Sequence, residues 1–168
     1  MKRVAAALAV ATLLGGCGLR PLYGAGGAPA RATLAAVEVA PIEGQQGWLV
    51  QTALRDRLSA VDKASARYRL DVRLDDDIVG LGIRRDDTVT RERRTLRARY
   101  QLVDLATGAV LLDATAGSDA GIDVVGSEYA TIAAEQTALE RLSGIVADQI
   151  VARVALFAQR SGGAPAQP

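Results

Sequence analysis

From Arg67 to Leu74 charged and apolar residues alternate without interruption. Tyr68, Leu70, Val72 and Leu74 share one parity, and Arg67, Arg69, Asp71 and Arg73 share the other. A period of two marks a strand with one buried and one wet face, the pattern of an antiparallel sheet. Asp75-Asp76-Asp77, followed by Gly80 and Gly82, is expected to end that strand. A longer run, about Thr88 to Asp104, places Leu96, Ala98, Tyr100 and Leu102 in phase. Val89, Arg91 and Arg93 lie on the opposite parity, which predicts a bulge or break near Arg91–Arg94. Thr107-Gly108 reads as a turn into a strand carrying Val110, Leu112 and Ala114, so these two runs form a hairpin. Upstream, Thr33–Ile42 is a short strand candidate with Val37 and Val39 on one face and Pro41 at its end.

Two segments change period. After Gly47, Val50, Leu54, Leu58 and Val61 recur every three or four residues, with Arg55, Asp56 and Arg57 outside, which predicts a helix. A Gly-rich loop is expected over Gly117–Gly126. Ser127 and Glu128 then suit the start of a helix running to about Gln159. Its stripe is Ile132, Leu139, Leu142, Val146, Ile150, Val154 and Phe157. Gly144 interrupts good helix formers and is expected to mark close packing or a slight bend. The order strand, helix, three strands, helix buries every apolar face if two helices pack on one face of a four-stranded, mostly antiparallel sheet. The chain is thus expected to be α+β, with a charge-rich opposite sheet face.

The ends do not belong to that domain. Met1-Lys2-Arg3 is a positive stretch before the apolar run Val4–Leu14. Those eleven residues reach only about 16 Å as a helix, half of a hydrocarbon core of about 30 Å, so the segment reads as a signal peptide. Leu14-Gly15-Gly16-Cys17 has the lipobox pattern, and the only cysteine of the chain stands at its acylation position. Residues 1–16 are therefore expected to be removed and Cys17 lipidated, with acyl chains holding the protein on a membrane. Gly18 rather than Asp follows Cys17, so outer-membrane sorting is the expectation. Residues 17–32, rich in Gly, Ala and Pro, read as a flexible tether, 33–160 as one domain, and 161–168 as a disordered tail. Trp48, near the start of the first helix, is expected to anchor the edge of the core.

Composition then narrows the chemistry. The 168 residues include 20 Lys+Arg, 19 Asp+Glu, no histidine and one cysteine. Balanced charge gives no global field for nucleic acid, and 4 % aromatic residues give no stacking platform. Without His the chain lacks the commonest general base and the commonest metal ligand, and with its cysteine acylated it has no thiol nucleophile. The serines have no histidine partner, and no phosphate-cradling or dinucleotide motif occurs; a carboxylate pair of a cell-wall glycosidase stays open but none stands out, so no enzyme and no cofactor are expected. Asp75, Asp76, Asp77, Asp86 and Asp87 match no calcium-loop spacing and read as solvated loop charge.

Seven arginines lie between Arg84 and Arg99. Guanidinium forks suit phosphate and carboxylate groups. A sheet face bearing Arg69, Arg73, Arg97 and Arg99 is either an anionic-ligand surface or a solvated face paired to Asp71, Glu92 or Asp113.

The stretch Cys17-Gly18-Leu19-Arg20-Pro21-Leu22-Tyr23-Gly24 resembles the mature N-terminus of the LptE lipoproteins of lipopolysaccharide assembly, in their alphaproteobacterial form. The rest is similar in order: Ala40-Pro41-Ile42, Leu54-Arg55-Asp56-Arg57-Leu58, Arg67-Tyr68-Arg69-Leu70-Asp71-Val72, Thr90-Arg91 leading to Tyr100-Gln101-Leu102-Val103-Asp104, and Glu128-Tyr129-Ala130. The resemblance implies two helices on a four-stranded sheet in a non-enzymatic outer-membrane lipoprotein. It further implies a plug within the β-barrel LptD that binds lipopolysaccharide and aids its insertion. On that implication Arg91, Arg93, Arg94, Arg97 and Arg99 are the candidates for lipopolysaccharide phosphates, chosen for charge and position. The alternative is an auxiliary lipoprotein of an ABC-type lipid-trafficking system.

Overall fold

The computed structural model describes residues 28–61, 64–83, 89–124 and 126–161. In chain order these form α1 (Ala28–Ala35), β1 (Val37–Val39), α2 (Gly44–Ser59), β2 (Tyr68–Ile83), β3 (Val89–Asp104), β4 (Val110–Asp123) and α3 (Glu128–Ser161). The strands form one mixed sheet in the order β1-β2-β3-β4, with β1 parallel to β2 and the other neighbours antiparallel. The fold is α+β as expected, but with three helices among the described residues rather than two.

Even-numbered residues of β2, β3 and β4 face the helices. Leu70, Val72, Leu96, Ala98, Tyr100, Leu102, Ala120 and Ile122 form the sheet side of the core. Val50, Leu54 and Leu58 of α2 and Leu139, Leu142, Val146, Ile150 and Val154 of α3 cover them. Removing each large aliphatic side chain from water contributes roughly 1.5–3 kcal/mol, so these stripes dominate the stability. α2 and α3 run parallel. Gln45 Nε2 donates to Gln136 Oε1 at 3.0 Å near their starts, and Arg57 Nη2 donates to Asp148 Oδ2 at 2.9 Å near the end of α2. The same Arg57 nitrogen donates to the Gly144 carbonyl at 2.9 Å.

Several expectations are corrected. The strand expected over Thr33–Ile42 is only Val37–Val39, because Ala30 and Leu34, one helical turn apart, bury against the core from α1. Residues 28–32 are therefore helical rather than tether. β2 does not stop at the aspartates but runs to Ile83, with Asp76 neutralised by Arg94 and Asp75 and Asp77 on the wet face. The register of β2 and β3 stays on one diagonal from Tyr68↔Asp104 to Ile83↔Val89, so no bulge lies at Arg91–Arg94. The irregularity falls at Leu102/Val103, against β4. The parity never changes; β3 carries polar Glu92 and Arg94 on its inner face. The Gly-rich segment from Gly117 continues β4 to Asp123 instead of forming a loop, since its ladder with β3 needs no large side chains. Among the described residues the Thr107-Gly108 turn uses glycine as foreseen: Gly108 has φ +71°, and Asp104 Oδ1 accepts the Ala106 N–H at 2.8 Å.

On the helices, Trp48 is 63 % exposed and so lies outside the core edge expected for it, and Ile132 is 54 % exposed because α3 begins beyond the reach of α2. A Cβ at Gly144 would meet only Arg57 Nη2, at 3.5 Å, so close packing is not its reason. The tight glycine is Gly47, where a Cβ would lie 2.5 Å from the Ile42 carbonyl oxygen. α3 is long and apolar enough to cross a membrane, but half of its most apolar stretch is buried inside the fold.

Candidate anion-binding face

The helices leave the odd-numbered face of the sheet open. It carries Arg69, Arg73, Arg91, Arg93, Arg97 and Arg99, interleaved with Asp71, Asp75, Asp77, Asp113, Asp119 and Asp123. Strand alternation produces this face directly, because every second residue of Arg67–Asp77 is charged, and every second residue of Arg91–Arg99 except Thr95. Its sign is mixed, so any anion must be held locally.

Arg91 donates from Nε to Asp123 Oδ1 at 3.0 Å, and both side chains are exposed. Arg99 forks onto Asp113 at 3.2 and 2.9 Å, and Gln101 adds a third donor to that carboxylate at 2.9 Å. The Arg99 and Gln101 hydrogen bonds hold the Asp113 carboxyl below its usual pKa, and the same contact raises that of Arg99. Arg69 is likewise forked onto Asp71, at 2.8 and 2.9 Å, within its own strand. Three of the six arginines on this face are thus paired to carboxylates, two across strands and one within its own strand.

Arg94 does not belong to the face. It points inward, where Nε and Nη2 bind Asp76 at 2.9 and 2.6 Å and Nη1 donates to the Glu135 carbonyl of α3 at 3.0 Å. Each side chain of the pair keeps 12 % of its exposure. Arg94 is a strut between sheet and helix and is withdrawn from the candidate ligand residues. Glu92, proposed as a surface partner, is also on the inner side.

Arg93 and Arg97 remain exposed and form no ion pair among the described residues. Arg97 sits opposite Gly117, where a Cβ would lie 3.3 Å from the Arg97 Cγ. The glycine therefore clears room for the guanidinium stem. Arg73 lies directly opposite Arg99 on the neighbouring strand. Two like charges in that relation repel, with Cβ atoms about 5 Å apart, although Asp113 offsets part of the charge of Arg99. Arg73, Arg97, Arg99 and Thr115, together with the acidic Asp75 opposite Arg97, line a shallow hollow of about 460 Å³ with Gln149 at its β4 edge. Arg73 was legible as an outward-facing residue, but its place in the hollow depends on the β2–β3 register, which no local pattern states.

Other candidates fare differently. Cys17, the proposed lipidation site, and Asp86 and Asp87 lie outside the described residues. Asp75 and Asp77 face away from Asp76, so the aspartate run does not converge, and no group of three or more metal-ligating side chains occurs among the described residues.

The fold matches solved lipoproteins. A putative lipoprotein from Caulobacter crescentus superposes with a TM-score of 0.65 at 22 % identity, covering 82 % of this chain and 99 % of that one. Lipoprotein B from Nitrosomonas europaea gives 0.57 at 16 % identity, covering 77 % and 90 %. The rare lipoprotein B from Shewanella oneidensis gives 0.55 at 13 % identity, covering 76 % and 97 %. No curated protein sequence matches the chain. Residues 34–154, from the last turns of α1 to near the end of α3, match the lipopolysaccharide-assembly family LptE, and the chain belongs to that family.

Proposed function

We propose that this LptE-family protein is an outer-membrane lipoprotein, anchored on the periplasmic face through acylated Cys17. It acts with the β-barrel LptD, as plug and assembly partner, in the transport and insertion of lipopolysaccharide, and it is not an enzyme. The family match over residues 34–154 supports the role in lipopolysaccharide assembly. For the ligand-binding part, the supporting observation is the Arg73–Arg99 pair with Arg97 beside it on an open sheet face. Like charges in register cost stability in isolation and become favourable when a phosphate bridges them. Arg93 extends the patch toward the far end of β3, while Arg91 and Arg99 already hold carboxylates that a phosphate would have to displace or share.

Two measurements test this reading. Purification of the lipidated protein from solubilised outer membrane should recover a much larger β-barrel protein; recovery without any barrel overturns the partnership. Binding of purified lipopolysaccharide to the Arg73→Glu/Arg97→Glu variant should fall by about tenfold or more, as expected for two charge-assisted contacts. Unchanged binding returns the arginines to the role of a solvated face.

A further inference from the structure

The two edges of the sheet are treated differently. On β4 the outward backbone groups of Gly117 are satisfied by a side chain. Its N–H donates to Gln149 Oε1 at 3.0 Å, and Gln149 Nε2 donates to its carbonyl at 3.3 Å. The amide occupies the place of a neighbouring strand. On the other side β1 pairs only with Tyr68–Leu70, and the Ala40 N–H makes the last bond, to the Leu70 carbonyl at 3.1 Å. Pro41 then turns the chain away, while β2 continues to Ile83.

The Leu70 carbonyl points toward β1, so alternation directs the N–H and C=O of Val72, Leu74, Asp76, Ile78 and Gly80 to the same side. Among the described residues no backbone group pairs with them. A hollow of about 650 Å³ lies along this edge between Pro41–Gln46 and Val72–Leu74, in line with the end of β1. Ile78 and Val79 beyond it are 39 % and 49 % exposed.

We propose that this edge of β2 accepts an extended segment of a partner protein as an additional strand, continuing the line of β1. Charge selects the occupant. A second copy pairing antiparallel about Asp76 would set Asp75 against Asp77 on one face, a like-charge contact that disfavours self-pairing. The same aspartates, exposed and without an ion pair among the described residues, favour a strand with lysine or arginine on its outward side. The inward side of that strand would be apolar, against Leu74 and Ile78. Main-chain bonds provide affinity and the alternating side chains provide selection.

The test uses the full chain and two short synthetic peptides, one alternating valine and lysine, the other valine and glutamate, at low salt. Saturating lysine peptide should slow amide hydrogen exchange of Val72, Leu74, Asp76 and Ile78 by about tenfold or more. The glutamate peptide should not. Ile78→Pro removes one outward N–H without breaking the β2–β3 ladder, and it should abolish the slowing. Asp75→Lys/Asp77→Lys, at two exposed positions, should reverse the preference between peptides. No slowing, equal slowing by both peptides, slowing that survives Ile78→Pro, or slowing without peptide that grows with protein concentration would each overturn the proposal.

Discussion

Arg94 turns its back on the arginines that flank it and forks onto Asp76, 2.9 and 2.6 Å away, beneath the first turns of α3. Its hydrogen bonds to Asp76 raise the guanidinium pKa further above its usual value. The contact explains how β2 crosses three consecutive aspartates without breaking: the one that must face inward has a fixed cation.

Arg94→Ala should therefore destabilise the fold by about 2–3 kcal/mol, because it leaves the Asp76 carboxylate nearly buried and unpaired. Arg93→Ala, one residue away and exposed, should change stability by no more than about 0.5 kcal/mol. Urea unfolding of the two variants measures both. Equal effects would contradict the inward placement of Arg94.

Two helical glycines should respond with opposite signs. Gly144→Ala adds a methyl at ordinary contact distance from Arg57 and should stabilise α3 by up to about 1 kcal/mol. Gly47→Ala gains the same propensity but forces a Cβ to 2.5 Å from the Ile42 carbonyl, in backbone that cannot swing aside. Its net effect should be a loss of about 1–3 kcal/mol. Thermal melts of both variants give the comparison.

Acid should weaken the clamp between α2 and α3. The Arg57 hydrogen bond holds the Asp148 carboxyl below its usual range. A carboxylate with a depressed folded pKa contributes stability that is fully present above its unfolded value, about 3.9. That contribution is lost as pH falls through the folded value. Asp148→Asn should lower stability at pH 7 and leave it nearly unchanged at the acid end, below both pKa values. Unfolding midpoints of the two proteins, measured from pH 7 downward, should converge there. Asp148 is largely exposed, so the difference should be small and should shrink with salt.

The Arg73–Arg97–Arg99 hollow predicts a salt-dependent ligand. Lipopolysaccharide binding should weaken steeply between low and physiological ionic strength. Arg97→Ala should reduce that slope, whereas Arg94→Lys should not. Gly117→Ala should also weaken binding, by crowding the Arg97 stem; a variant that binds normally would place the ligand elsewhere.

Much of the layout follows from local pattern alone. The alternation of Tyr68–Leu74 and Leu96–Leu102, the stripes Val50–Leu58 and Leu139–Val154, and the turn at Thr107-Gly108 each state an element and its buried face, because side-chain period is set by backbone geometry. The charge-rich outer face, with Arg69, Arg73, Arg97 and Arg99, follows in the same way. What pattern could not state are the features that depend on a partner far along the chain. Asp75–Asp77 and the glycines of β4 read as breaks until the β3 ladder satisfies their backbone. Arg94 reads as surface until Asp76 and the Glu135 carbonyl meet it. Ala30 and Leu34 read as tether or strand until α3 offers them a surface. Only the tertiary structure decides which arginines are struts and which are free, because a charged side chain takes its role from what lies opposite it. That neighbour is set by sheet register and helix placement, not by the adjacent residues.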